Sequence, residues 1–388
     1  MEFSDFPMPD HLPDFARNDQ IAAYFDTYVD YFRFRNRINF NTGVKRVAPL
    51  PNGGFLVTLD EGDRHRYDAV CVANGHHWDP LRPEPEFPGS RTTSIEQIHS
   101  YDYTSEQQLA GKQLVVLAIG NSAMDIAVDS SYHADATYLP GRSGVHVIPK
   151  YVFGRPSDQI AAAEWIPASI RWPLARVIMK AATGPMSRYG LPAPKHKFAQ
   201  AYPMMSIRIL DRLAHGAILP KPNIESFGSK EVLFSDGSRV EADLVVYCTG
   251  FKLSFPFFDS EFLSPSDHNE IRLYARVFSP TKPNLYFVGL IRSLGAIMPI
   301  AEHQSELIAD HLQGRYLLPG REEIEAEIDT YRQKLVKRYV PSKRHTIQVD
   351  FDDYMRFLRA ERERGAKRSR RLPPHTRLLG PTLAGSSR

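Results

Sequence analysis

Apolar positions near the start of the chain recur at helical spacing and then alternate. Within residues 18–33 the i, i+3, i+4 spacing predicts an amphipathic helix with the apolar residues Ile21, Tyr24, Phe25, Tyr28, Val29 and Phe32. A pair of strands is predicted at residues 38–40 and 44–47. The segment FLVTLDEGDRHRYDAV then alternates on both sides of Glu61–Gly62 and predicts a hairpin.

Two segments of the chain combine a hairpin with an apolar strand that ends on glycine. DAVCVANG (Asp68–Gly75) and DLVVYCTG (Asp243–Gly250) share the pattern D-x-V-x-x-x-x-G. Their continuous apolar runs predict strands covered on both faces of a parallel sheet, and the glycine permits a close approach of backbone or ligand. A hairpin followed by a buried strand is common in α/β proteins, but the shared order and length favour two copies of a nucleotide-binding domain.

Only the second copy is preceded by a strand, a tight turn and a helix. The strand is predicted at Leu114–Ile119 and the helix at Asn121–Val128. A dinucleotide fingerprint places glycines at three positions of such a turn, which here are Ala118, Gly120 and Ala123. Alanine is an accepted variant at the third position and a departure at the first. The alternative is an α/β turn that binds nothing.

The strand after this helix, ATYLPGR, ends on Arg142 with no acidic residue. An acidic residue there would bind a ribose 2′-hydroxyl, whereas an arginine accommodates a 2′-phosphate, so NADPH is favoured over NADH. No nucleophile elbow, zinc-protease motif or phosphate loop is present, and His76 and His77 adjoin and therefore diverge, so no metal is expected. Without a redox cysteine pair, the natural acceptor for electrons from NADPH is a bound flavin.

Later segments predict further elements of an α/β protein. Residues 159–216 are mostly helical and mix apolar with basic residues, which suits packing onto a domain core and would also suit contact with a membrane surface. A strand is predicted at Asn284–Ile291 and a helix from Pro299 to Gln313. Pro299 is expected in the first turn of that helix and Gly314 just after its end.

Composition narrows the class of protein. The chain has 388 residues, 42% of them apolar and 24% charged, which is typical of globular proteins. Its apolar runs are too short to span a membrane, its acidic start is no signal peptide, and its two cysteines, Cys71 and Cys248, lie in strands predicted to be buried, so a cytoplasmic location is expected. From Glu361 onward the chain has eight basic and two acidic residues, so the net charge of +3 comes from the tail. We expect a solvated, disordered end and no nucleic-acid partner.

Seven segments together resemble the flavin-containing monooxygenases, over a range from Phe3 to about Gly365. They are FSDFPMP (Phe3–Pro9), VANGHH (Val72–His77), GNSAMDIA (Gly120–Ala127), GRSGVHVIPKY (Gly141–Tyr151), GLPAPKHK (Gly190–Lys197), YCTGFKLSFPFF (Tyr247–Phe258) and GAIMPIAEHQ (Gly295–Gln304). The combination is specific to the family, although no single segment is.

The resemblance implies an α/β fold with two Rossmann-like dinucleotide-binding domains, in which the NADPH domain is inserted into the FAD domain. The implied boundaries are residues 1–105 and 255–345 for FAD, 106–254 for NADPH with a helical insertion at about 157–217, and 346–388 for a C-terminal helix and basic tail. It also implies that NADPH reduces FAD, that O2 then forms a C4a-hydroperoxide, and that a soft nitrogen or sulfur nucleophile of a small-molecule substrate is oxygenated. The substrate and the oligomeric state stay open.

The candidate cofactor-binding residues follow from the fingerprint and from the resemblance. On the NADPH side they are Ala118, Ile119, Gly120, Asn121, Ser122, Ala123 and Arg142. Gly75 and the helix that begins near Pro299 are expected on the flavin side. Thr249 and Gly250 end the second closing strand. No catalytic side chain is assigned.

Three departures from the family pattern qualify the resemblance. Family members open with a strand and a glycine-rich turn for the FAD pyrophosphate, whereas this sequence begins at FSDFP, so we expect an incomplete FAD domain and an enzyme inactive as written. The family's linker signature F-x-G-x-x-x-H-x-x-x-[YWF] survives only as His99 and Tyr103, with Thr93 and Ile95 where phenylalanine and glycine are expected. Tyrosine rather than tryptophan at position 103 favours heteroatom oxygenation over Baeyer–Villiger ketone insertion. Ala118 replaces the first fingerprint glycine. The alternatives are a non-catalytic NADP-binding remnant or a ketone monooxygenase.

Overall fold

The computed structural model describes residues 2–157, 168–196, 204–266, 269–293, 295–339 and 346–371. The α-helices are α1 (Asn18–Tyr31), α2 (Asn121–His133), α3 (Ala168–Thr183), α4 (Ile207–Ala214), α5 (Ile297–Leu312), α6 (Arg321–Arg338) and α7 (Phe351–Arg370). The strands are β1 (Val44–Pro49), β2 (Phe55–Leu59), β3 (Arg64–Tyr67), β4 (Val70–Val72), β5 (Asp79–Pro80), β6 (Glu96–His99), β7 (Gln113–Leu117), β8 (Ala136–Pro140), β9 (Val147–Ile148), β10 (Tyr151–Val152), β11 (Arg155–Pro156), β12 (Met204–Met205), β13 (Leu219–Lys221), β14 (Ile224–Phe227), β15 (Glu231–Phe234), β16 (Arg239–Glu241), β17 (Leu244–Tyr247), β18 (Phe251–Lys252), β19 (Leu285–Phe287), β20 (Arg292–Ser293) and β21 (Gln348–Val349).

The chain divides into two units. The first unit comprises Met1–His76 and Leu253–Arg388, and the second comprises His77–Lys252. The second unit is therefore inserted into the sequence of the first. Strand β6, which the sequence analysis placed in the first domain, pairs with β17 in the central sheet of the second unit.

The central sheet of the second unit has five strands in the order β13-β8-β7-β17-β6, and every neighbouring pair is parallel. Its middle strand β7 comes from the run LVVL, whose residues alternate between the two faces. Leu114 and Val116 pack in one apolar cluster with Met124 of α2, while Val115 packs in another with Phe234 of β15. Apolar residues on both faces therefore bury Leu114–Leu117 of β7, as the continuous apolar run predicts.

The two units repeat one arrangement of strands. Strands β1-β2-β3 form an antiparallel sheet ahead of β4, and β14-β15-β16 form another ahead of β17. Both predicted hairpins are confirmed, and the repeat extends one strand further than the sequence analysis proposed. The strand predicted at residues 38–40 is wrong, because Arg35 beside it pairs with Asp26 at 2.9 Å and Asp30 at 2.5 Å and keeps that segment against α1.

In the first unit β4 pairs in parallel with β19. Val72 packs in an apolar cluster with Phe255 and Phe287, but Cys71, whose side chain points to the other face, is exposed. The prediction that β4 is covered on both faces is therefore wrong at Cys71, because alternate side chains of a strand face opposite sides and only one side of β4 is packed. Cys248, the other cysteine, is buried as predicted.

The expectation of a disordered end from Glu361 onward is wrong as far as Arg371, since α7 extends to Arg370. Glu361 is fully buried on α7 and lies 2.8 Å from the Arg364 guanidinium and in contact with that of Arg368. The hydroxyl of Tyr316 donates to its Oε1 at 2.9 Å. A buried carboxylate requires such partners, so basic residues of this segment are structural.

We expect Glu361→Gln to lower the free energy of unfolding by about 1–3 kcal/mol, because two arginines lose their counter-charge, discounted for the exposure of Arg364. Urea unfolding followed by circular dichroism measures this. The matched control is Glu363→Gln, whose side chain is exposed on the same helix and whose substitution should change little. Equal effects of the two substitutions would contradict a structural role for Glu361.

Candidate functional site

A strained turn follows β7 in the second unit. Ala118 has φ of 106°, a value that glycine adopts readily and alanine does not, and its N–H donates to the Pro140 carbonyl oxygen at 3.2 Å. Ile119 beside it is buried and points into the core. The turn therefore has the geometry of the first fingerprint glycine even though alanine occupies the position.

The helix that leaves this turn has an open amino end. Gly120 is the N-cap of α2, and no side chain caps the helix. Asn121 is half-buried, Ser122 is exposed and Ala123 is fully buried. A Cβ added to Gly120 would meet no atom within 4 Å. Free amides and the positive end of the helix dipole thus face open space, which is the arrangement that binds a phosphate.

Arg142 follows the neighbouring strand β8 and is exposed. Gly141, just before it, is buried, and a Cβ there would lie 3.1 Å from Ile119 Cγ2. The Gly141 N–H donates to the Lys221 carbonyl oxygen at 3.0 Å, which fixes the backbone at this point. Arg142 therefore directly follows Gly141, the residue that lies close to Ile119 of the Ala118–Gly120 turn.

The carboxyl end of β17 completes this edge of the sheet. The Thr249 hydroxyl donates to the Leu81 carbonyl oxygen, and the Gly250 carbonyl oxygen accepts from the Leu81 N–H at 2.9 Å. Gly250 has φ of 93°. Because β7 connects onward to β8 on one side and pairs with β17 on the other, the strand order reverses here, at the position where α/β sheets bind ligands.

The two surviving positions of the linker signature are anchored within the second unit. His99, at the end of β6, is 1% exposed, and burial lowers the pKa of its imidazole below the ordinary value. Its Nδ1 accepts from the Tyr101 N–H at 3.1 Å. The Tyr103 hydroxyl donates to Asp129 of α2 at 3.0 Å, and burial raises the pKa of that phenol. Tyr103 therefore ties the segment after β6 to α2, and His99 holds the turn that directly follows β6.

The first unit presents a second edge with glycines at the carboxyl ends of parallel strands. Gly75 follows β4 with φ of 74°, and Gly289 follows β19 with φ of 71°. A Cβ added at either would meet no atom within 4 Å. Sequence reasoning missed Gly289, although the apolar run LYFV that precedes it is the same signal that singled out Gly75 and Gly250.

The helix after β19 begins at Ile297, two residues before the predicted start, and Pro299 lies in its first turn as expected. No side chain caps this helix either. Its position depends on Gln304, which is fully buried. Gln304 Oε1 accepts from the Gly289 N–H at 2.8 Å, and its Nε2 donates to the Tyr354 hydroxyl at 2.8 Å. Sequence reasoning missed this role, although Gln304 ends one of the quoted motifs.

Two other features, a metal centre and a membrane-spanning helix, also bear on function. Over the described ranges, no group of three His, Cys, Asp or Glu side chains is arranged to hold a metal ion. The same part of the chain contains no helix with the length and apolar content to cross a membrane. The membrane-surface alternative concerned residues 159–216, of which 159–167 and 197–203 lie outside the described residues.

Comparisons with known proteins agree with this geometry. The model of the family described as FMO-like, flavin-binding monooxygenase-like, matches residues 1–368. Flavin-containing monooxygenase 5 of Mus musculus is 34% identical over 382 residues, which cover 92% of this chain and 69% of that protein. Dimethylaniline monooxygenase (N-oxide-forming) 2 of Rattus norvegicus is 31% identical over 377 residues, which cover 92% of this chain and 70% of that protein.

Solved structures share the fold. S-allyl-L-cysteine S-oxygenase from Allium sativum superposes with a TM-score of 0.67 at 21% identity, over 98% of this chain and 78% of that one. Cyclohexanone monooxygenase from Rhodococcus sp. Phi1 bound to NADP+ gives a TM-score of 0.68 at 16% identity, over 90% and 83% of the two chains. At this identity the likeness concerns the fold alone, and it confirms the predicted two-domain Rossmann-like α/β class.

We expect Ala118→Gly to raise the free energy of unfolding by about 1 kcal/mol, because glycine adopts a positive φ without a Cβ clash. The matched control is Ala123→Gly, five residues along and inside α2, which should lower it by about 1 kcal/mol. Chemical unfolding of the three proteins side by side measures both changes. A loss of stability in Ala118→Gly would contradict a strained turn.

Proposed function

The chain belongs to the flavin-binding monooxygenase-like family, and we propose that it is an NADPH-dependent monooxygenase that oxygenates soft nitrogen or sulfur nucleophiles. The family uses FAD and NADPH and acts on small molecules with O2. For this chain we also propose which residues hold each cofactor and which class of substrate is oxygenated.

The binding site for the nicotinamide cofactor is proposed from one observation. The amino end of α2 has no side-chain cap, and the space next to its N-cap residue Gly120 is empty. The pyrophosphate would lie against the first amides of α2, at Asn121, Ser122 and Ala123, because these groups have no intrahelical acceptor. Arg142 would bind the 2′-phosphate that distinguishes NADPH from NADH. Thr249 and Gly250 would close the other side of the site, with the Thr249 hydroxyl already held by Leu81.

The residues of the first unit fit one part of FAD. Gly75 and Gly289 leave open backbone at the carboxyl ends of β4 and β19, and the positive end of α5 at Ile297–Pro299 suits the electron-rich flavin ring.

When bound, FAD supplies the chemistry that activates O2. The substrate class is inferred from two sources. Tyr103 stands where ketone-inserting relatives are expected to have tryptophan, and the rat relative is named as an N-oxide-forming dimethylaniline monooxygenase. Oxygen transfer to nitrogen or sulfur is accordingly the first proposal, and Baeyer–Villiger oxygenation of a ketone is the second.

The test is a product assay on the purified chain with added FAD, NADPH and 18O2. The probes are N,N-dimethylaniline, methyl phenyl sulfide and cyclohexanone. The expected result is one labelled oxygen atom in the N-oxide or sulfoxide. The lactone as the main product would replace the first proposal with the second.

Gly120→Ala tests whether the product depends on NADPH bound at the amino end of α2. A Cβ at this position meets no protein atom, so the fold should be retained, but the methyl group fills the face that a pyrophosphate would approach. NADPH binding should fall by about tenfold or more. NADPH binding without any flavin or product at saturating FAD would instead identify a non-catalytic NADP-binding protein.

Arg142→Ala should raise the KM for NADPH about tenfold or more and leave the KM for NADH nearly unchanged, because only NADPH carries the 2′-phosphate. Steady-state oxidation of each nucleotide at varied concentration gives both values. Arg91→Ala is the control, since Arg91 is an exposed arginine of the same unit that pairs with Glu86 at 2.6 Å. Equal changes for both nucleotides would remove Arg142 from the phosphate site.

A further inference from the structure

A cavity of about 220 Å³ lies in the second unit, next to the end of β17. We refer to it as the Arg82 cavity. Residues within Arg82–Arg91 form one part of its wall, and Gln97 of β6 and Tyr247 of β17 form the rest. Tyr247 packs with Val115 on the face of the central sheet opposite to α2. The Arg82 cavity is therefore separate from the candidate NADPH site, and none of the candidate cofactor-binding residues lines it.

The Arg82 side chain lies on an aromatic ring at this cavity. Its guanidinium covers the Tyr247 ring at 5.0 Å from the ring centroid. Tyr247 is 3% exposed, and its hydroxyl donates to Gln97 Oε1 at 2.7 Å, so the ring is fixed. Attraction between the cation and the ring holds Arg82 in this position without using any of its N–H donors.

Those donors have no acceptor in the protein. Over the described ranges, Arg82 forms neither an ion pair with a carboxylate nor a hydrogen bond. The residue is exposed, so a ligand in the cavity can reach its guanidinium. A guanidinium presents its N–H groups in one plane and binds a carboxylate through two parallel hydrogen bonds. The geometry of Arg82 therefore suits a planar carboxylate.

The other charged side chains of the wall neutralise each other. Among the described residues that line the cavity, only Arg82, Glu86 and Arg91 are charged. Arg91 donates from Nε to Glu86 Oε2 at 2.6 Å and from a terminal nitrogen to Glu86 Oε1 at 2.9 Å. This hydrogen-bonded pair holds the pKa of the Glu86 carboxyl below its ordinary value, so Glu86 stays ionised and paired at neutral pH. One positive charge, that of Arg82, is left, and a ligand with a single negative charge balances it.

The wall next to Arg82 also offers apolar surface. Pro83 directly follows Arg82, and Phe87 packs against Phe227 with the ring centroids 6.1 Å apart. The volume of the cavity is smaller than that of pockets that bind drug-sized molecules, so it admits a ligand of about one ring. A ligand with a carboxylate at one end and a flat apolar body at the other matches both parts of this wall.

We propose that the Arg82 cavity binds a small aromatic monocarboxylate. Its two oxygens accept hydrogen bonds from the Arg82 guanidinium, and its ring packs against Pro83 and Phe87. This site does not depend on the proposed function, because neither cofactor is needed to form it.

The test is a fluorine NMR titration of the full-length chain with 4-fluorobenzoate, with 4-fluorobenzamide as the neutral analogue. Saturable binding of 4-fluorobenzoate at one site per chain is expected, and 4-fluorobenzamide should bind at least about tenfold more weakly because it lacks the charge that Arg82 pairs with. Inorganic phosphate at equal concentration should not displace 4-fluorobenzoate, since phosphate has no apolar body and carries more charge than Arg82 balances.

Two substitutions of exposed residues should act in opposite directions. Arg82→Gln removes the unpaired charge and should weaken 4-fluorobenzoate binding about tenfold or more. Glu86→Gln removes the negative charge from the wall and frees Arg91, so it should strengthen binding about twofold to fivefold.

Arg239→Gln is the matched control, because Arg239 is an exposed arginine of the same unit outside the cavity, and this variant should bind like the parent. Arg142→Ala should also bind like the parent, which separates the Arg82 cavity from the candidate NADPH site. Absence of saturable binding, equal binding by Arg82→Gln and the parent, loss of binding in Arg142→Ala, or displacement by equimolar phosphate would overturn the proposal.

Discussion

The parallel pairing of β7 with β17 is the constraint on which the candidate NADPH site depends. Leu114–Leu117 lie opposite Leu244–Tyr247 residue by residue, although these segments are far apart in the sequence. Because parallel strands end at the same edge of a sheet, the pairing brings the Ala118–Gly120 turn beside Thr249–Gly250. All four residues of β17 are buried, so a shift of register by one residue would turn its side chains to the wrong faces. The register therefore fixes the site.

The first unit contains the same arrangement, a strand paired in parallel and followed by a glycine, but its strand β4 is less buried than β17. β17 pairs on both edges, with β7 and β6, whereas within the described residues β4 pairs only with β19. The exposure of Cys71 has a separate cause, because its side chain points to the face opposite that of Val72, and only the Val72 face is packed. The two edges thus share a closing glycine with positive φ and differ in how many neighbours support the strand before it.

Sequence reasoning succeeded where the signal is local. The apolar run of β7, the turn after it and the helix from Asn121 follow from neighbouring residues, and both hairpins follow from alternation and turn residues. It failed where long-range contacts decide. Glu361 looks like part of a solvated charged tail, yet its partner Tyr316 lies 45 positions earlier and draws it into the core. The strain at Ala118 is likewise invisible in the sequence, which gives the departure from glycine and not the φ angle that the fold imposes.

The interior of the first unit contains two buried glutamines whose side chains are used differently. Gln304 and Gln348 are the same residue type and almost equally buried, at 0% and 1% exposure. Gln304 uses both ends of its amide, between Gly289 and Tyr354, and so holds a loop. Gln348 uses neither end, although Tyr331 binds its carbonyl oxygen. A buried amide that joins two elements through both of its ends, as Gln304 does, fixes their relative position, whereas burial of the residue type alone does not.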